Sequence, residues 1–176
     1  MNIYLLGDSH FARMIRENDE AHKALKKLGE VINLSRSGQT TRMAQEHLES
    51  LKLAREGDML ITIFGDNDCA NWKKIPYEEF RKNYQRIIDA FTGRIILVTP
   101  APIHPLKQKG TGRPNREIKK YAKIVKELSE KNNVEVIDLY SQLRREMFRF
   151  RDVHESDGVH LNERGYAVLN KTFLRL

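Results

Sequence analysis

A serine at the end of an apolar run, a histidine near the opposite end of the chain and an aspartate three positions ahead of it are the residue types that acyl transfer needs. That chemistry requires a nucleophile, a base to take its proton, a group to orient the base, and donors where charge develops on a carbonyl oxygen. Ser9 is the candidate nucleophile, His160 the base, and Asp157 the residue that orients the imidazole and stabilises its cation. The short spacing from Asp157 to His160 lets one turn of chain bring them into contact without help from a distant loop.

These side chains must be held by regular elements. The runs NIYLL, EVINL, DMLITIF, RIILVTP and VEVIDL read as strands, and segments of helical period lie between them. A first helix is expected around Leu25 and Leu28, a second from Met43 to Ala54, and a third from Tyr77 to Phe91. A fourth is expected over Asn115 to Asn132, and a last one begins near Asn162, whose side chain caps the free N–H groups. Strands separated by helix-length crossovers pair in parallel. The expectation is one domain over residues 1–176, a three-layer α/β/α sandwich with a five-stranded parallel sheet in flavodoxin-like order. Such sheets gather ligands at the carboxyl ends of their strands. Gly7-Asp8-Ser9-His10, Ser35 to Thr40, and Gly65-Asp66-Asn67-Asp68 stand at three of these ends, and Asp157-Gly158-Val159-His160 precedes the last helix.

Taken singly, each stretch has a plainer meaning. Ser9 suits a helix cap, Gly38 a turn and Asn67 an Asx-turn. His154, Asp157 and His160 are also close enough in sequence to suggest a metal site, although the strict zinc spacings are absent. Cys69, the single cysteine, reads as loop packing. KGTGRPN lacks the ending of a phosphate-binding loop and the third glycine of a dinucleotide fingerprint, and no G-x-S-x-G elbow occurs. A nucleotide-dependent enzyme is therefore not expected.

In combination, G-D-S at Ser9, a glycine after the second strand at Gly38, G-x-N-D at Asn67 and D-x-x-H at His160 resemble the SGNH hydrolases, the GDSL-type esterase and lipase superfamily. The resemblance spans essentially the whole chain. It implies a serine esterase without a metal or cofactor, acting on short acyl esters, acetyl esters first among them. It also implies an oxyanion hole made by the backbone N–H groups of Ser9 and Gly38 and the side-chain amide of Asn67. Loss of one such donor typically lowers turnover about 100- to 1,000-fold. Asp8 and Asp68 are read as carboxylates that accept loop N–H groups and hold the blocks in place. His10 departs from the hydroxyl or apolar residue expected beside the nucleophile and is read as an exposed first-turn residue at the pocket rim. His22, His47 and His104 are expected on the surface or in loops. The superfamily also contains lysophospholipases, thioesterases and glycan deacetylases, so the expected partner is a small-molecule or glycan acyl ester.

The formal charge of +7 and pI near 9.5 raise the question of an anionic partner. Lys and Arg are spread along the chain without a nucleic-acid-binding motif, so specific nucleic-acid binding is not expected. A non-catalytic binding module for an acylated or anionic polymer is the alternative that charge keeps open. The Pro-, Gly- and Lys-rich stretch from Thr99 to Pro114 should form a long loop beside the site, with Lys107, Lys109 and Arg113 as largely solvated charges. The apolar runs are too short to span a bilayer, and the first strand begins almost at Met1, leaving no room for a signal peptide. With one cysteine, this points to a cytoplasmic protein.

Overall fold

The computed structural model describes residues 1–15, 20–149 and 151–174. Five strands, β1 (Asn2–Gly7), β2 (Glu30–Asn33), β3 (Met59–Ile63), β4 (Arg94–Val98) and β5 (Glu135–Ile137), form one sheet in the order β2-β1-β3-β4-β5. Every pairing is parallel, as the helical crossovers require. The helices are α1 (Ser9–Ala12), α2 (Glu20–Lys26), α3 (Leu48–Leu51), α4 (Tyr77–Asp89), α5 (Gln108–Thr111), α6 (Asn115–Asn132), α7 (Leu139–Phe148) and α8 (Glu163–Phe173). This is the flavodoxin-like α/β sandwich read from the sequence.

Successive strand residues point to opposite faces, so a sheet covered on both sides needs apolar residues at every position. In β1, Tyr4 and Leu6 join Phe80, Tyr84 and Phe91 under α4 and α6, while Ile3 and Leu5 join Phe11, Leu25 and Phe173 under α1, α2 and α8. Gly7 ends β1 because only a hydrogen fits there: a Cβ would lie 2.5 Å from Ile63 Cγ2. The strand, flanked by β2 and β3, thus delivers Ser9 at the carboxyl edge of the sheet.

Three local expectations need revision. The segment expected as one helix from Met43 to Ala54 is a 3-10 turn, Met43–His47, followed by the single-turn α3. Its start is capped only by a long bond, the Met43 N–H donating to Thr40 Oγ1 at 3.4 Å, and few of its residues are buried, so little sustains a longer helix. Leu28 lies beyond the end of α2 and is partly exposed. Helix α7 was not anticipated: its anchors are Leu139 and Leu143, and its signal is Asp138, which caps it by accepting the Ser141 N–H at 3.1 Å. By contrast α6 has the expected bounds, and Asn162 caps α8 through the Gly165 N–H at 3.0 Å.

Candidate active site

Three loops at the carboxyl edge of the sheet and one hairpin before α8 build the site. Ser9 opens α1, and Asp8 caps that turn by accepting the His10 N–H at 2.9 Å. The hairpin is closed by the His154–Leu161 bridge and by the Glu155 N–H donating to the His160 carbonyl at 2.7 Å. It carries His160 over the loop that holds Ser9, where the ring Nε2 stands 3.1 Å from Ser9 Oγ. The other ring nitrogen, Nδ1, is hydrogen-bonded to Asp157 Oδ2, and Asp157 Oδ1 accepts the N–H groups of Val159 (2.8 Å) and His160 (3.0 Å). Partial burial pushes the Asp157 carboxyl up, but the ring of His160 and the two N–H groups outweigh it and bring it down to about 2. Asp157 is therefore ionised at neutral pH, and a hydrogen on Nδ1 leaves Nε2 free to accept from the serine.

The residues expected as oxyanion donors lie on adjoining loops. Gly38 adopts φ 75°, a left-handed conformation that favours glycine, and its carbonyl accepts from Lys73 Nζ at 2.7 Å. The Arg36 N–H of the same loop donates to the Gly7 carbonyl at 3.2 Å, which seats the loop against the end of β1. Asn67 Nδ2 lies 3.4 Å from the Gln39 carbonyl, and Oδ1 accepts from Arg113 Nη2 at 2.9 Å. With its oxygen occupied by Arg113, the Asn67 amide has its orientation set and its N–H groups turned toward the glycine loop. Asp68 accepts both the N–H (2.9 Å) and the hydroxyl (2.6 Å) of Thr41, joining the β2 and β3 loops. Burial lifts its carboxyl to about 7 against those two bonds.

His10 is not at the rim. It is 1% exposed, beneath the site, with Nδ1 2.9 Å from Asp8 Oδ1 and Nε2 3.3 Å from the Val159 carbonyl. Asp66 completes a buried cluster with them, the ligating atoms of all three lying within 4.8 Å of one another. Sequence spacing gave no sign of this, because the partner on one side of the ring is 149 positions away. His22 and His47 are also buried rather than superficial; His22 Nδ1 faces the Met14 carbonyl at 2.8 Å. His104 stays in its loop, and its N–H donates to the Gly158 carbonyl at 2.8 Å.

The metal site suggested by His154, Asp157 and His160 does not assemble. His154 is buried with Nε2 2.7 Å from the Pro102 carbonyl, and its ring meets His104 edge-on. Among the described residues, Glu155 rather than His154 joins Asp157 and His160. Cys69 is buried, and burial pushes its thiol up, away from nucleophilic use. Arg113 is no free loop charge: besides Asn67 it bonds the Asp66 and Thr111 carbonyls and stacks 5.0 Å from the Trp72 ring centre. Lys107 and Lys109 are exposed, as expected.

A model of the GDSL-like lipase/acylhydrolase family matches residues 5–168. The chain belongs to this family. An isoamyl acetate-hydrolyzing esterase 1 homolog of Bos taurus is 32% identical over 161 residues, covering 77% of this chain and 64% of that protein. The chain thus spans just under two thirds of that relative's length. Among solved structures, a lipase/acylhydrolase from Enterococcus faecalis superposes with a TM-score of 0.84 at 26% identity, over 99% of this chain and 93% of that one. Axe2, an acetylxylan esterase from Geobacillus stearothermophilus, gives a TM-score of 0.78 at 20% identity, over 99% and 92% of the two chains. Like the family model it matches, the chain carries the four sequence blocks, and the fold brings them to the edge where such sheets collect ligands. No helix among the described residues is long and apolar enough to cross a membrane.

Proposed function

We propose that the protein is a serine esterase that hydrolyses short acyl esters, acetyl esters foremost, with Ser9, His160 and Asp157 as its catalytic residues. The observation that carries this reading is the 3.1 Å approach of His160 Nε2 to Ser9 Oγ across 151 positions of sequence. In the first step His160 takes the serine proton while Oγ adds to the ester carbonyl carbon. The negative charge on the carbonyl oxygen is met by the N–H groups of Ser9 and Gly38 and the amide of Asn67. The protonated His160 then gives its proton to the departing alcohol oxygen as the C–O bond breaks, leaving an acyl-serine. Water, deprotonated by the same imidazole, releases the acid and restores the hydroxyl. Asp157 stays ionised throughout and compensates the charge on the ring. Apart from that water, residues of the chain supply every group in this sequence, so the reading assigns no metal or cofactor.

The preference for acetyl esters is supported by the relative named for isoamyl acetate hydrolysis and the fold neighbour named for acetylxylan. p-Nitrophenyl acetate hydrolysis tests the reading: Ser9→Ala should lower kcat/KM by about 10⁴-fold or more, and a fluorophosphonate should label Ser9 in the unmodified protein. Equal rates in the two proteins would overturn it. Activity should persist in EDTA. A panel of acetylated sugars, lysolipids and acyl thioesters then separates glycan deacetylase, lysophospholipase and thioesterase.

A second reading, binding of an anionic polymer without turnover, is favoured by one feature. Arg145, Arg149, Arg151, Arg164 and Lys171 line a groove of about 730 Å³ between α7 and α8, with Glu146 as its carboxylate. Salt-sensitive retention of a polyanion by a protein inert toward esters and fluorophosphonate would favour that reading.

A further inference from the structure

The ring of His10 touches an oxygen on each side. Its Nδ1 faces the Asp8 carboxylate, which already accepts the His10 backbone N–H, and its Nε2 faces the carbonyl of Val159. A carbonyl oxygen only accepts, so Nε2 carries a hydrogen, and the carboxylate calls for another on Nδ1. The ring is therefore an imidazolium held inside the protein. Its charge is balanced locally. The second oxygens of Asp8 and Asp66 are buried with no hydrogen-bond partner among the described residues, and burial beside the charge of Asp8 favours Asp66 as the neutral acid. Imidazolium, carboxylate and carboxylic acid sum to zero, which makes the cluster tolerable in a medium of low polarity. Burial works against the charge on His10, but Asp8 beside it raises the ring to about 9; burial and the charge of Asp8 together hold Asp66 well above the carboxylate range.

The carbonyl that His10 grips belongs to the same peptide unit as the N–H of His160. That unit is held from both sides, by His10 on its oxygen and by Asp157 Oδ1 on its nitrogen at 3.0 Å. We infer that His10 is a positioning residue for the proposed hydrolysis, its ring joining Asp8 to the Val159 carbonyl and so holding the peptide that carries His160 within reach of Ser9. The inference rests on the esterase reading. His10 does not touch the reacting atoms. It connects the end of β1 to the hairpin, and Asp66, which accepts the Asn67 N–H at 2.7 Å, extends the same network to the amide expected in the oxyanion hole. Two further contacts reinforce the connection: Arg13 pairs with Glu155 at 3.0 Å, and the Tyr166 hydroxyl donates to the His10 carbonyl at 2.9 Å.

Two substitutions separate the two sides of the ring. The amide nitrogen of asparagine falls near the place of Nδ1 and keeps only the Asp8 bond, whereas that of glutamine falls near Nε2 and keeps the Val159 bond. His10→Asn should lower kcat about 10- to 100-fold with KM held within about twofold, and His10→Gln, which keeps the grip on Val159, should lose severalfold less, since a displaced base costs rate rather than binding. Equal kcat in the two variants, both intact or both impaired, overturns the assignment, as does a loss confined to KM. Long-range proton–nitrogen spectra of the histidine rings give a readout that needs neither turnover nor a variant. The His10 ring should remain doubly protonated at pH 8, and a neutral His10 ring at pH 7 refutes the inference. Should the parent protein neither hydrolyse esters nor react with fluorophosphonate, the esterase reading fails by itself. The positioning role is then decided by the His160 ring signals, which His10→Asn must move and His10→Gln must leave in place.

Discussion

The site contains two Asp–His pairs that share a chemistry and differ in surroundings. Asp157 and His160 sit at the surface, their side chains 44% and 19% exposed, whereas Asp8 and His10 lie beneath them at 1% each. In both pairs the carboxylate meets Nδ1. What differs is the partner of the second ring nitrogen. His160 Nε2 faces a hydroxyl, which donates as readily as it accepts, so that ring is free to serve as a base. His10 Nε2 faces a carbonyl, which only accepts, so that ring must keep both protons. One oxygen atom thus separates the proposed base from the inferred buried cation.

Breaking each pair at its aspartate should expose this difference. Asp157→Asn is expected to lower kcat by about 10⁴-fold in p-nitrophenyl acetate hydrolysis, with the unfolding midpoint nearly unchanged, because it removes a largely exposed carboxylate and spoils the tautomer of the ring beside it. A loss of stability in place of rate would erase the distinction. Asp8→Asn should do the reverse in kind, costing about 3–5 kcal/mol in urea unfolding because it leaves the His10 cation buried without its counter-charge. The pH dependence of stability is a finer test. His10 binds its proton more tightly folded, near 9, than unfolded, near 6.5, so its contribution is complete below about pH 6.5 and disappears as pH rises through 9. Asp68, held near 7 by burial, adds a decline of the same sign between about pH 4 and 7. Between pH 7 and 9 the parent should therefore lose about 3 kcal/mol at most more than His10→Gln does, and parallel stability curves for the two would contradict a buried imidazolium.

The two pairs were also unequally legible. Asp157 and His160 stand on one short hairpin, and their types, their spacing and their place before a capped helix were enough to nominate them. Asp8 and His10 are just as close in sequence, yet their local pattern suggests only an exposed residue at the rim for His10. Its burial comes from Val159 and Tyr166, at the far end of the chain, closing over it. Arg113 shows the same limit: read as a solvated loop charge, it orients Asn67 because the Thr99 to Pro114 segment folds back onto the β3 loop. Helix α7 was overlooked for a different reason. Its buried face rests on Leu139 and Leu143 amid charged residues, too thin a stripe to stand out.

Local sequence determined the order of strands and helices, the parallel sheet they imply, and the four blocks that end on its functional edge. Each depends on period, capping and residue type within a few positions, which short-range physics governs. The environment of each side chain, by contrast, was decided only when segments up to 151 positions apart were packed together. Whether a histidine is a base or a cation depends on which atom meets its second nitrogen, and no local pattern encodes that meeting.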